Sequence, residues 1–240
     1  MTAIKAWLEG DPIDLALLVD LSPLGDVRVA RDEDQDLYYL TAPEIDNPST
    51  PDMFSVPAKV VLARLNGLGR VRDSRFRPVA LSGFYSDDKR TMVFPPPAVL
   101  EIRESLAIRE SVVVELVGPD GRPKMAPPPP WGERFALAAS NSDVAEVLET
   151  MGGTEPLDWV ALYKVHEIIR DTIKPQKIPT LGWATADDDS AFTASANLPS
   201  VSGEQARHAR KDGTPRHTMT LDQARVFISD LVTAWLDSLT

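Results

Sequence analysis

The run of four consecutive prolines in Met125–Trp131, MAPPPPW, constrains the fold of this chain more than any other feature. Proline has a fixed φ and no backbone N–H, so the run can neither continue a helix nor donate to a sheet. It predicts a stiff polyproline II segment. We interpret residues 126–130 as a rigid connector between two domains, 1–125 and 131–240. Docking of the run on an aromatic groove of a partner is the alternative.

The sequence before the connector is mainly strand-like. Its stretches rich in β-branched and aromatic residues are DVRVARD, LYYLTA, VALSGFY, TMVF, VLEIRE and SVVVELVG. Two helices interrupt them. One has Asp11 as its cap and Pro12 at its first position, and the other begins near Ser55 and is expected to stop at Gly67. Because strands and helices do not alternate regularly, we predict an α+β fold with a mostly antiparallel N-terminal domain.

The sequence after the connector is helical. NSDVAEVLETMGG is predicted to form a helix capped by Asn141 or Ser142. TEPLDWVALYKVHEIIRDTIK has apolar residues at helical spacing, with Thr154 as the predicted cap. The last helix begins with Thr220 and Gln223 in capping-box spacing. We therefore predict an all-α helical bundle for the C-terminal domain.

The chain carries a net charge of −11. Surplus negative charge opposes nonspecific binding to nucleic acid, because phosphate backbones are attracted to positive surfaces. The acidic residues are concentrated in Glu9–Asp52, whereas Lys59–Arg77 is strongly basic. We favour mutual neutralisation of these two segments over a local anion site, and both interpretations are open.

No cofactor and no metal site are expected, because the chain has no cysteine and only three histidines. HEIIR lacks the second histidine of a zinc peptidase motif, and Asp187–Asp189 are expected to cap a helix rather than bind calcium. The sequence shows no signal peptide and no apolar run of membrane-spanning length. We therefore expect a cytoplasmic protein that does not bind membranes.

The first group of candidate binding residues lies on the long helix of the second domain. Tyr163, His166 and Arg170 are three and four residues apart, so they share one helix face. A histidine among helix-surface charges is more often a salt-bridged structural residue than a catalytic one. A catalytic role for His166 is the alternative.

The second group lies in Gly203–His217, GEQARHARKDGTPRH. Ser202 is predicted to cap a short helix through GEQARHAR, and KDGTPRH is predicted to form a turn. Arginine binds phosphate in a two-pronged manner and histidine transfers protons, as RNA cleavage without a metal requires. The candidate catalytic residues are Arg207, Arg210 and His217, and the candidate binding residues are His208 and Lys211.

An acidic mixed segment followed by a helical bundle with an Arg–His pair resembles HEPN-domain proteins, the bacterial toxin and antiphage ribonucleases. Their mark is an arginine a few residues before a histidine near the start of a late helix. Here six residues separate Arg210 from His217, and the resemblance covers Trp131–Thr240. It implies metal-independent ribonuclease chemistry or, as in inactive members, a binding or antidote module.

Two functions are predicted from these features. The first is a non-catalytic cytoplasmic interaction module that binds a protein partner or a second copy of itself, within a bacterial defence or toxin–antitoxin assembly. The second is an endoribonuclease that binds RNA and uses His217 with Arg207 or Arg210. The lack of a strong catalytic motif favours the interaction module.

Overall fold

The computed structural model has an antiparallel sheet in the first part of the chain and helices in the second, which confirms the predicted α+β class. It describes residues 3–22, 25–46, 54–87, 91–93, 131–206 and 215–240, with the backbone alone at 91–93 and 205. The proline connector and the predicted strands VLEIRE and SVVVELVG lie outside these residues. None of the described helices is both long and apolar enough to cross a membrane.

Within the described residues, five antiparallel strands form the sheet, in the order β2-β3-β1-β4-β5. Their bounds are Lys5–Glu9 for β1, Arg28–Asp32 for β2, Leu37–Thr41 for β3, Ala80–Ser86 for β4 and Thr91–Val93 for β5. The predicted strands DVRVARD, LYYLTA, VALSGFY and TMVF are confirmed as β2 to β5. Short segments rich in β-branched and aromatic residues are therefore sufficient to locate four of the five strands in the described part of the chain.

The central strand, β1, is not among the predicted strands. It lies between β3 and β4, with Ala6 opposite Leu40 on one side and Tyr85 on the other. Ala6, Trp7 and Leu8 are all buried, so the alternation of apolar and polar residues that marks a half-exposed strand is missing. Pairing along both edges makes this segment a strand, and that pairing is not visible in its own sequence.

Nine α-helices lie within the described residues. They are α1 (Pro12–Leu21), α2 (Pro43–Asp46), α3 (Ser55–Arg72), α4 (Trp131–Ser140), α5 (Ser142–Met151), α6 (Trp159–Thr172), α7 (Ala186–Asn197), α8 (Pro199–Ser202) and α9 (Leu221–Asp237). Asp11 caps α1 and Asn141 caps α5, each accepting hydrogen bonds from the first turn. Thr220 and Gln223 form the predicted capping box of α9. These local signals are confirmed.

Helix α6 begins at Trp159, so the predicted cap at Thr154 is wrong. Asp158 is the cap, and its Oδ1 accepts a hydrogen bond of 2.8 Å from the N–H of Ala161. Pro156 gives the physical reason, because the residue before a proline is disfavoured in the helical conformation. The chain therefore cannot turn into a helix at Thr154.

Helix α3 continues to Arg72, so the predicted stop at Gly67 is also wrong. Gly67 allows close packing instead, since a Cβ added there would lie 2.0 Å from the carbonyl oxygen of Leu148 in α5. A Cβ on Gly152, the C-cap of α5, would lie 1.7 Å from the carbonyl oxygen of Ala63. The backbones of α3 and α5 are thus in contact at two glycines.

A single buried apolar cluster joins the sheet to the helices of the second part. Helix α3 is its middle element, because it contacts α1 and β4 on one side and α4, α5 and α9 on the other. Leu40 of β3, Leu68 of α3 and Trp235 of α9 are among its fully buried side chains. The predicted division of the chain at residues 126–130 stays a prediction, because the connector lies outside the described residues.

Candidate functional site

The three candidate binding residues of α6 divide between the core and the surface. Tyr163 and His166 are 6% and 1% exposed, and their ring centroids lie 5.9 Å apart. Arg170, one turn further along the helix, has a side chain that is 41% exposed. Arg170 is therefore the one of the three that reaches solvent, while the binding roles of Tyr163 and His166 stay predictions.

His166 connects α6 to α7 through a partly buried hydrogen bond. Its Nε2 lies 2.7 Å from Oδ1 of Asp189, whose side chain is 28% exposed. The imidazole packs on the ring of Phe192, with 5.0 Å between centroids. Among the described residues, Nδ1 has no hydrogen-bond partner. The geometry is that of a structural histidine held by a carboxylate, with the ring buried and its partner on another helix.

The acidic run Asp187–Asp189 lies in the first turn of α7, where negative charge interacts favourably with the helix N-terminus. The predicted capping by these aspartates is wrong in detail, because Thr185 is the cap. Its Oγ1 accepts a hydrogen bond of 3.0 Å from the N–H of Asp188. Within the run, Asp189 is the residue whose carboxylate contacts His166 of α6.

A groove of about 650 Å³ lies between α6, α7 and the segment that precedes α9, and we call it the α6–α7 groove. The polar side chains along it include Arg170, Lys177, Asp189, Ser190, Arg216 and His217. Apolar side chains, those of Ile178, Pro179, Leu198 and Pro215, complete its walls. The surface therefore combines a basic character with apolar contact area.

The cations of the α6–α7 groove are only weakly compensated. Arg170 lies 3.5 Å from Glu167 and 3.8 Å from Asp171. Asp171 is shared with Lys174, whose hydrogen bond, with a smaller contribution from the charge of Arg170, holds the pKa of that carboxyl below its usual range. Within the described part of the chain, neither Lys177 nor Arg216 forms an ion pair. The groove thus presents positive charge to solvent.

The position of His217 is set by the chain that follows it. The N–H of Met219 donates a hydrogen bond of 2.8 Å to Oγ of the buried Ser195, which fixes this segment against α7. His217 itself is exposed and lines the α6–α7 groove beside Arg216. The structure therefore brings His217 and Arg170 to one groove, although they come from different elements.

The other residues of the second candidate group, Arg207, His208, Arg210 and Lys211, lie outside the described residues. Their predicted meeting with His217 stays a prediction. The predicted helix from Ser202 through GEQARHAR is not observed as such, because a 3-10 turn over Gly203–Gln205 is followed by Ala206 in an extended conformation. Gly203 has φ 60° and ψ −135°, and this backbone geometry prevents a regular helix from continuing out of α8.

Two cations of the α6–α7 groove, Lys177 and Arg216, are not among the predicted site residues. Arg216 stands directly before His217, and that adjacency is the one signal that could have identified it. Lys177 precedes the 3-10 turn Ile178–Leu181, and no motif marks it. In the described part of the chain, no three histidine, aspartate or glutamate side chains are grouped to hold a metal ion.

No family model matches this chain, and no curated protein or solved structure matches it. The resemblance of Trp131–Thr240 to HEPN domains stays a prediction.

Proposed function

We propose that this protein is a cytoplasmic interaction module that binds an acidic segment of a protein partner in the α6–α7 groove. The observation that carries the proposal is the row of exposed cations along this groove, contributed by Arg170, Lys177 and Arg216. A place in a bacterial defence or toxin–antitoxin assembly is part of the proposal and follows from the HEPN resemblance alone.

The composition of the groove favours protein over RNA as the ligand. Apolar side chains such as those of Pro179 and Pro215, both half-buried, lie among the cations, as in protein interfaces, where apolar area and a polar rim occur together. Asp189 adds a carboxylate to the same wall. The net charge of −11 repels an acidic segment as well as RNA at long range, so the choice of a protein ligand depends on the apolar side chains of the groove.

Site-specific photo-crosslinking in the host tests this proposal. A photoreactive amino acid at Ser190, an exposed residue on the groove wall, is expected to give a protease-sensitive adduct. The double variant Lys177→Glu, Arg216→Glu is expected to reduce that adduct by at least about fivefold, because charge reversal at an interface rim slows association and weakens binding. The measurement is the intensity of the adduct band relative to the uncrosslinked protein.

Two controls give this experiment its meaning. The photoreactive group placed at Val56, which is 55% exposed on α3 and away from the groove, should give no such adduct. Arg28→Glu, a charge reversal at an exposed position of β2, should leave the Ser190 adduct unchanged. A ribonuclease-sensitive adduct at Ser190, or an adduct that resists the double reversal, would contradict the proposed protein ligand.

A metal-independent endoribonuclease is the second candidate function. It is favoured by the exposed imidazole of His217 beside Arg216 on a basic groove, since a histidine can transfer the proton while an arginine binds the phosphate. Arg207 and Arg210 would supply the further guanidinium groups in this candidate.

The two candidates are separated by an RNA cleavage assay in the presence of EDTA. If the protein is a ribonuclease, single-stranded RNA is degraded and His217→Ala reduces the rate by at least about 100-fold, the size of a lost general acid or base. Thr218→Ala, at the neighbouring exposed position, is the matched control and should retain the full rate. Activity that persists in His217→Ala would eliminate the proton-transfer role of this residue.

A further inference from the structure

A second basic pocket shares no lining residue with the α6–α7 groove. It has a volume of about 500 Å³ and lies between the end of α3, the segment joining α5 to α6, and α9. We call it the arginine pocket. Its polar lining residues are Arg70, Arg77, Ser74, Thr154, Arg225 and Ser229.

Arg70 is buried in the wall of this pocket without a carboxylate. The residue is 8% exposed, and its guanidinium donates to the carbonyl oxygens of Met151 at 2.8 Å and Glu155 at 3.1 Å. Met151 ends α5, so its carbonyl carries part of the negative end of the helix dipole. Among the described residues no acidic side chain pairs with Arg70, although buried arginines normally have such a partner.

Arg225 brings a second guanidinium to the same pocket. Its Nε and Nη2 donate to the carbonyl oxygen of Leu157 at 3.0 and 2.9 Å. Its Nη1 pairs with Asp222 at 2.8 Å, but the side chain of Asp222 is 89% exposed and therefore well screened by water. Burial, followed by repulsion from Arg225, lowers the pKa of Arg70 to about 10. The two guanidinium groups thus repel each other, and neither has a buried carboxylate as its partner.

The third arginine of the pocket is neutralised within the protein. Arg77 is hydrogen-bonded to Asp11 and lies 3.3 Å from Oδ2 of Asp14. It therefore contributes little net attraction. The positive charge of the pocket comes from Arg70, which has no carboxylate partner among the described residues, and from Arg225, whose one carboxylate partner is exposed to water. The hydroxyl groups of Ser74 and Thr154 lie at the exposed edge of the pocket, where they can donate further hydrogen bonds.

We propose that the arginine pocket binds the phosphate group of a small molecule between Arg70 and Arg225. A phosphate dianion is attracted to the two guanidinium groups, and the N–H groups that they do not use in hydrogen bonds to the protein can donate to its oxygen atoms. The volume of about 500 Å³ lies within the range of small-molecule sites, so it can hold more than the phosphate itself. This ligand is distinct from the partner proposed for the α6–α7 groove.

Calorimetric titration of the full chain with inorganic phosphate tests the proposal, with sodium chloride of equal ionic strength as the reference. Phosphate is expected to bind saturably to one site and to raise the melting temperature. Arg225→Gln is expected to weaken phosphate binding by about tenfold, because it removes one charge-assisted donor group. Arg75→Gln removes the same charge from an exposed position outside the pocket and should leave binding unchanged.

Two additional measurements complete the test. A titration with adenosine monophosphate distinguishes a phosphate ester from free phosphate, and a second variant keeps the test valid if Arg225→Gln does not fold. If adenosine monophosphate binds more tightly than inorganic phosphate, the ligand of the pocket is a phosphate ester. If the two bind equally, the ligand is free phosphate. Ser74→Glu introduces a carboxylate at the exposed edge without altering the core, and it should abolish binding even if Arg225→Gln does not fold.

Two results would overturn the phosphate site. One is a response that does not saturate or that chloride reproduces, and the other is equal binding in Arg225→Gln and Arg75→Gln. The double variant Lys177→Glu, Arg216→Glu should bind phosphate as the unmodified chain does, because these residues line the other groove. Failure of the phosphate site is therefore distinguishable from failure of the proposed partner site.

Discussion

Gly67→Ala is expected to destabilise the protein by about 3 kcal/mol or more, as overpacking against rigid backbone does in its larger cases. The added Cβ would lie 2.0 Å from the carbonyl oxygen of Leu148 and 3.0 Å from its Cα, and neither atom belongs to a side chain that can rotate away. Helix propensity acts in the opposite direction, since alanine in a helix is favoured over glycine by about 1 kcal/mol. A decrease in the free energy of unfolding of Gly67→Ala therefore indicates close contact between α3 and α5, whereas helix propensity alone would increase it.

Equilibrium unfolding in urea, followed by far-UV circular dichroism, measures this change. Gly153→Ala is the matched control, because a Cβ there would meet nothing nearer than the carbonyl oxygen of Thr150 at 3.7 Å, an ordinary contact distance. It should alter the free energy of unfolding by about 0.5 kcal/mol or less. A Gly67→Ala variant as stable as the unmodified chain would show that the two helix backbones are further apart than described.

His166→Ala is expected to lower the free energy of unfolding by about 3 kcal/mol. The substitution removes a ring that is 1% exposed and packed on Phe192, and it leaves the carboxylate of Asp189 without its hydrogen-bond partner. Asp189→Asn keeps an oxygen acceptor at the same position, so it should cost about 1 kcal/mol. The comparison separates the loss of the ring from the loss of charge.

His217→Ala supplies the control for His166→Ala, because it makes the same chemical change at an exposed position. Its effect on stability should be within about 0.5 kcal/mol. Thermal and urea unfolding of the two variants measure the difference. If His166→Ala is as stable as His217→Ala, the buried contact of His166 with Asp189 does not hold α6 to α7, and a role for His166 in chemistry would gain support.

Local signals predict the starts of α1, α5 and α9 correctly. Asp11, Asn141 and Thr220 each accept hydrogen bonds from the first turn of their own helix, so the information lies within a few residues. The prediction fails where a distant residue decides the structure. Gly67 reads locally as a helix stop, but it is retained inside α3 because Leu148, far along the chain, packs against it.

The candidate site is predictable to the same extent. The spacing of His166 and Arg170 correctly places them on neighbouring turns of α6, and the basic residues around His217 mark it as a candidate. Burial of His166 against α7 and exposure of Arg170 at the groove depend on tertiary packing. Arg70 and Arg225 are brought to one pocket by the packing of α3 against α9, and no sequence pattern relates residues so far apart.

The glycine contact between α3 and α5 also has a consequence for cleavage of the chain, because it provides matching surfaces for two fragments to reassociate. Cleavage within residues 94–130 would leave one fragment with the Ala63 and Gly67 side of α3 uncovered, and the other with the matching side of α5 uncovered. Two such surfaces, shaped to each other at atomic distance, are suited to noncovalent reassociation. The protein is for this reason a natural starting point for a split reporter, whose signal would return when the two pieces meet.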